Sequence, residues 1–221
     1  MARKKSAIPA GRGYHHGDLR QALLDAALAL IEAGEEQGVS LRTVAAHSGV
    51  SNAAPYRHFK DRKALMAAVA TIGFERLLEA LRRARESGGE GAELLAMATA
   101  YLAFASKNIG LYRVMFTENH LAIRFDDGRA RSSRAAFQEL QDVVGARLPA
   151  TCGEGEAKRV ATAIWAGLHG TALLTSGRLI PVGGPREEGR AESEGMAIAR
   201  LLIERFSEPR MPSRRRVTGR S

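Results

Sequence analysis

One stretch, Ser40 to Leu65, S-L-R-T-V-A-A-H-S-G-V-S-N-A-A-P-Y-R-H-F-K-D-R-K-A-L, leaves few ways to fold. Ser40 is placed to cap a helix, its hydroxyl accepting from a free backbone N–H of the first turn. Leu41, Val44 and Ala45 recur at helical spacing. Gly49 ends that helix by supplying the positive φ that a sharp turn needs. Val50 plugs the junction, and Ser51 is positioned to cap a second short helix. That second helix carries Asn52, Tyr56, Arg57 and His58, polar, cationic or aromatic side chains that would not fill a core. Two short helices around a tight turn, with the second one presented, predict a helix-turn-helix that offers its second helix to the major groove of DNA.

The remainder reads as helix. Helix 1 is expected over residues 17–33, with Leu19, Leu23, Ala26, Leu30 and Ile31 on one face, closed by Gly34 to Gly38. Asp61 opens a further helix in which Leu65, Val69, Ile72, Leu77, Leu78 and Leu81 recur towards Arg85. Helical patterns follow over 93–107, 110–117, 129–148, 156–176 and 191–206, with loops at 87–91, 149–155 and 177–188. No strand alternation and no internal repeat emerge, so the fold class is all-α. A three-helix helix-turn-helix head (14–63) follows a flexible basic arm (1–13) and precedes a larger helical domain (64–206) and a basic disordered tail (207–221).

Charge is uneven. Residues 1–63 hold 10 Lys/Arg against 6 Asp/Glu, and residues 207–221 hold 5 against 1. Between them, 18 basic residues face 17 acidic ones. Localised positive charge suits a polyanion, because neutralising phosphates releases counterions. Cys152 is the single cysteine, which excludes an intrachain disulfide and fits a reducing compartment. The N-terminus has no apolar segment of signal-peptide length, and the apolar run Leu94–Ala105 is too short for a membrane span. The chain is expected to be soluble and intracellular, held on the DNA it binds.

Helix 1 followed by V-A-x-x-S-G-V-S-x-A-A-x-Y-x-H-F-x-x-R-x-x-L resembles the tetracycline-repressor (TetR/AcrR) family over Leu19 to Val69. The turn glycine, the serine after it, the Tyr-x-His-Phe cluster and the start of the following helix all fall in register. Gly13 to Arg20, Ala53 to Phe59, and Trp165-Ala166-Gly167-Leu168-His169-Gly170 resemble the branch whose effector domain carries a Trp-His-Gly signature. Three positions depart from the pattern: Ala53 replaces a frequent Gly, Pro55 an apolar residue, and Arg62 the usual Lys. Arg62 keeps the charge but changes its geometry.

The resemblance implies DNA-contacting roles that the residue types can perform. Asn52 can pair with adenine, or be a surface capping residue. Ser51, Ala53 and Ala54 line the start of the recognition segment, where the alanines can meet thymine methyls or be plain helix formers. Tyr56 and His58 match phosphate-contacting positions of the family; alternatively Tyr56 is partly buried with its hydroxyl satisfied locally. Arg57 can reach a base or the backbone. Ser40, Arg42 and Thr43 sit at a helix start that favours phosphate, and Lys60, Arg62 and Lys63 flank the next one. Phe59 is core. His15 and His16 are better placed near the DNA backbone than on a metal, since no ligand spacing accompanies them.

Trp165 and His169, four apart, share a helix face that Ala172 and Ser176 continue. With Tyr101, Phe104, Met115 and Phe116 they either fill a core or line the apolar effector cavity that the resemblance implies. Ile164, Leu168 and Thr171, with the apolar stripe Met196, Ala199, Leu202, Ile203 and Phe206, fit the four-helix dimer interface it also implies. A C2 dimer follows as well from the small number of base pairs one recognition helix reads. The sequence offers no nucleophile motif, paired catalytic carboxylates, phosphate-cradling loop or metal spacing, so no enzyme and no cofactor are expected. The expected function is a homodimeric repressor of double-stranded operator DNA, released by a small molecule; the alternative is a constitutive or activating DNA binder without a sensor.

Overall fold

The computed structural model describes residues 16–117, 128–149, 151–152, 154–176 and 197–204. The side chains of residues 16–18, 117, 128–130, 154 and 176 lie outside that description. So do the arm, the tail, the 177–188 loop, His15, Met196 and Phe206. Every regular element among the described residues is helical. The chain divides into two compact units, one ending at Val69 and one beginning at Ala70.

The first unit is built on α1 (His16–Glu32) and α2 (Leu41–His47), joined through a 3₁₀ turn at Glu36–Gly38. Leu23, Leu24, Ala27 and Ile31 of α1 are buried with Val39, Leu41, Val44 and Ala45. Ser40 caps α2 in a reciprocal box. Its Oγ accepts from Thr43 N at 3.1 Å, and Thr43 Oγ1 accepts from Ser40 N at 2.8 Å. At the other end Gly49 takes φ +68°. Val50 N donates to Ala45 O at 3.0 Å and Gly49 N to Ala46 O at 3.2 Å, a Schellman closure of orphan carbonyls.

The second short helix differs from expectation. Residues 52–53 form a turn, and only Ala54–Arg57 is helical, as a single 3₁₀ turn. Its N-cap position is Ala53, with no side-chain cap bond; Ser51 contributes its carbonyl to Ala54 N at 3.0 Å instead of its hydroxyl. Pro55 lies within this turn. It sits in the first turn, where its missing N–H costs least, and it fixes the local backbone dihedral. Its own carbonyl is used twice, accepting from His58 N and Phe59 N at 2.9 Å each. Pro55 and Phe59 are both buried, and the Arg20 guanidinium lies 5.4 Å from the centre of the Phe59 ring.

Helix α3 (Arg62–Ser87) continues without a break from the first unit into the second. Asp61 starts it, its Oδ1 accepting from Ala64 N at 2.8 Å. In the second unit α4 (Glu93–Lys107) and α5 (Ile109–Thr117) meet at a bend of 103°. Helices α6 (Gly128–Arg147) and α7 (Glu154–Ser176) pack on each other and on α4. Two glycines of the second unit sit under a neighbouring side chain. A Cβ on Gly73 would lie 2.6 Å from Met115 Cγ and Sδ, and one on Gly167 would lie 2.4 Å from Leu202 Cδ1 of the helix over 197–204.

That packing corrects the expected interface. Ile164, Leu168 and Thr171 are buried within the single chain, at 0%, 3% and 7% exposure, as are Ala199 and Ile203. Buried within one chain, they are core. On α7 and the last helix the exposed large apolar side chains are instead Leu174, Ile198 and Leu201, the last 66% exposed. No single helix among the described residues is long and apolar enough to cross a membrane.

Candidate DNA interface and effector cluster

In the first unit the expected contact residues separate by exposure. Arg42, Thr43, Ser51, Asn52, Ala53, Tyr56, Arg57, Lys60 and Lys63 are exposed; Ser40, Ala54, His58 and Arg62 are half-buried. Tyr56 stands out at 63% exposure, so its ring is not held by the core. Beneath this surface Pro55 and Phe59 anchor the turn, and Ser48 Oγ donates to Ala22 O of α1 at 3.3 Å. A rigid frame thus carries polar side chains outward, the condition for phosphate and base-edge contacts.

Four expected residues, Ser40, Thr43, His58 and Arg62, are engaged otherwise. The hydroxyls of Ser40 and Thr43 are taken up by the capping box and by Gly38 O, 3.0 Å from Thr43 Oγ1. His58 turns its Nε2 inward, where it is covered and without a hydrogen-bond partner. The Arg62 Nε donates to Val39 O at 2.7 Å and its second terminal nitrogen to Glu36 O at 3.4 Å. Arg62 therefore grips the α1–α2 connection.

The second unit gathers aromatic rings in one connected series. Phe137 of α6 meets Trp165 of α7 at 5.8 Å between centroids, and Trp165 meets Tyr101 of α4 at 5.1 Å. Tyr101 meets Tyr112 of α5 at 6.1 Å, and Tyr112 packs on Phe116 and His169 at 4.8 and 5.7 Å. Phe116 touches His169 at 4.3 Å and Phe74 of α3 at 5.3 Å. The edge-to-face geometries are those that ring quadrupoles favour.

A polar thread runs through these rings. The Tyr101 and Tyr112 hydroxyls are 2.9 Å apart, and Tyr112 Oη lies 2.7 Å from His169 Nδ1. Tyr101 Oη reaches the same nitrogen only at 3.5 Å. Burial pushes both phenols well above their ordinary ionisation range. For Tyr101 the proximity of Tyr112 adds to this, whereas for Tyr112 the bond with Tyr101 works against it.

Of the residues expected around an effector, Tyr101, Phe116, Trp165 and His169 come together here. Met115 is buried against Gly73 of α3, and Phe104 is buried in α4 with no ring partner among the described contacts. Tyr112, Phe137 and Phe74 join the series unexpectedly. Tyr112 has a sequence signal, since Tyr112 and Phe116 are four apart and share a face, whereas Met115 and Phe116 do not. No group of three or more His, Cys, Asp or Glu side chains that could hold a metal ion occurs among the described residues.

The family model for bacterial regulatory proteins of the tetR family matches residues 23–69, and that for the tetracyclin repressor-like C-terminal domain matches residues 94–199. Together they span well over half of the chain. The chain belongs to the TetR family. A protein with unknown function from Rhodococcus sp. RHA1 is 32% identical, with 90% of this chain and 100% of that one aligned at a TM-score of 0.73. The TetR family regulator PfmR of Thermus thermophilus aligns at 17% identity over 82% of this chain and 97% of its own, TM-score 0.57. The fatty acid degradation regulator FadR of Bacillus halodurans aligns at 12% identity over 86% and 97%, TM-score 0.61. These last two speak for the fold. No curated protein matches the sequence.

For this TetR family member, the first unit falls in the region matched as the regulatory N-terminal domain, and the aromatic series lies mostly in the matched C-terminal domain. Phe74, which precedes that match, joins the series to α3.

Proposed function

We propose that this protein is a homodimeric, cytoplasmic transcriptional repressor that reads operator DNA with Asn52, Ala53, Tyr56 and Arg57 and leaves it when a small molecule enters the aromatic series. The observation that carries the DNA reading is the exposed polar surface of residues 51–57 on a turn locked from below by Pro55 and Phe59. Arg42, Lys60 and Lys63, all exposed, supply charge for backbone phosphates around it. A C2 dimer would set two such surfaces about 34 Å apart, one turn of DNA. Outward Leu174, Ile198 and Leu201 are suited to that dimer.

Release follows from connectivity. A ligand that parts His169 from Phe116 displaces Phe74, and Phe74 sits on the same unbroken helix that begins at Arg62. The ligand shifts the equilibrium only by binding the DNA-incompetent arrangement more tightly. Transcriptional regulation rather than catalysis is the business of the family.

Selection of bound duplexes from a random pool by the purified protein, with affinity followed against salt, tests the proposal. A palindromic winner lost on Tyr56→Ala supports it; salt-sensitive binding without sequence preference sinks it. A second reading, a DNA binder without a sensor, is favoured by the closure of the series, in which both phenols already have partners. It predicts that no small molecule changes operator affinity.

A further inference from the structure

We propose that Arg62 is a positioning residue for DNA recognition, a clamp between the start of α3 and the lead-in to α2, and not a phosphate contact. The sequence pattern puts a cation here, beside exposed Lys60 and Lys63, where a phosphate role is the obvious one. The geometry points elsewhere. Arg62 is half-buried, and one edge of its guanidinium, Nε with a terminal nitrogen, is turned onto the carbonyls of Val39 at 2.7 Å and Glu36 at 3.4 Å. These carbonyls stand 23 and 26 residues back in sequence.

The place of the clamp gives it consequence. Val39 is buried and immediately precedes Ser40, the cap of α2. Asp61, immediately before Arg62, caps α3. The bond therefore joins the first turn of α3 to the segment that leads into α2, with both caps adjacent to it. Any displacement of α3 at this end is passed to α2, which bears Arg42 and, through Gly49, the turn with Asn52 and Tyr56. The chemistry selects arginine. A planar fork satisfies two carbonyls along one edge, whereas an ammonium is a point donor on a flexible stem.

The test uses the full chain with Arg62→Lys and Arg62→Gln, and the duplex selected by the wild type. A clamp predicts that both variants lose about tenfold or more in specific affinity, the scale of a charge-assisted bond. It also predicts that the slope of log K against log salt is unchanged. Binding to unrelated duplex should hardly move, because no phosphate contact is lost. A phosphate contact predicts the opposite: Arg62→Lys near wild type, and Arg62→Gln with the slope reduced by about one. That pattern overturns the proposal. Hydrogen exchange of Arg62→Lys supplies a readout independent of DNA. Faster exchange at the start of α2, with α4 to α7 unchanged, supports the clamp, and unaltered exchange at α2 refutes it even where the wild type selects no duplex. Failure to select any duplex would by itself sink the DNA-binding reading above.

Discussion

Removing the Tyr112 hydroxyl should damage the second unit more than removing that of Tyr101, although the two differ little in burial. Tyr112→Phe keeps the ring and its packing on Phe116 and His169. It deletes the central link of the thread, which bonds to Tyr101 at 2.9 Å and to His169 at 2.7 Å. The Tyr101 hydroxyl, on a side chain 1% exposed, is left with only the 3.5 Å approach to His169 Nδ1. Stranding a buried hydroxyl costs about 1–3 kcal/mol. Tyr101→Phe leaves the shorter Tyr112–His169 bond intact and should cost about 0.5–1.5 kcal/mol, one neutral hydrogen bond. The double substitution removes the stranded group as well. It should be no less stable than Tyr112→Phe alone, a departure from additivity of roughly one hydrogen bond. Urea unfolding followed by Trp165, the single tryptophan and itself in contact with Tyr101, reads this unit directly. Additive losses, or a Tyr112→Phe cost below about 0.5 kcal/mol, would refute the thread as a cooperative unit.

Burial raises both phenols above the ordinary tyrosine value of about 10, so their stabilising contribution is complete below that pH and is lost as pH climbs towards the folded-state values. Tyrosinate absorbance from Tyr101 and Tyr112, isolated by comparison with the double Phe variant, should appear only with alkaline unfolding. Glu139 is raised by burial but lowered more by hydrogen bonds from Arg85 and Arg82 at 2.7 and 3.1 Å, for a net depression. Glu139→Gln should cost about 1 kcal/mol at neutral pH, the arginines being well exposed, and the gap to wild type should close as pH falls below about 4 in acid titrations of stability. Gly49→Ala meets no atom within 4 Å, so its cost is purely that of holding alanine at φ +68°, about 1–2 kcal/mol by thermal unfolding. Leu201→Glu should shift the sedimenting species from dimer to monomer with secondary structure intact; an unchanged dimer would place the interface elsewhere.

Local chemistry settled much of this molecule before any tertiary contact was known. The cap at Ser40, the left-handed residue at Gly49, the acid before α3 and the bounds of α4 all follow from which backbone groups lack partners and which residues can supply them. The family's turn and Tyr-x-His-Phe register were equally plain, because they lie within a few residues of one another. Periodicity also showed that Trp165 and His169 share a face.

Neighbours from distant parts of the chain decided the rest. The stripe of Ile164, Leu168 and Thr171 carries the same pattern whether it faces another subunit or its own core, and only packing within the folded chain made it core. Phe74, Phe137 and Tyr112 join the aromatic series through contacts spanning up to five helices, which no local period encodes. Arg62 was legible as a cation but not as a clamp, since its partners are carbonyls, and every residue in the sequence has one. A side chain's capacity to bond is written in its chemical type; what it bonds to depends on which groups the folded chain brings within about 3 Å.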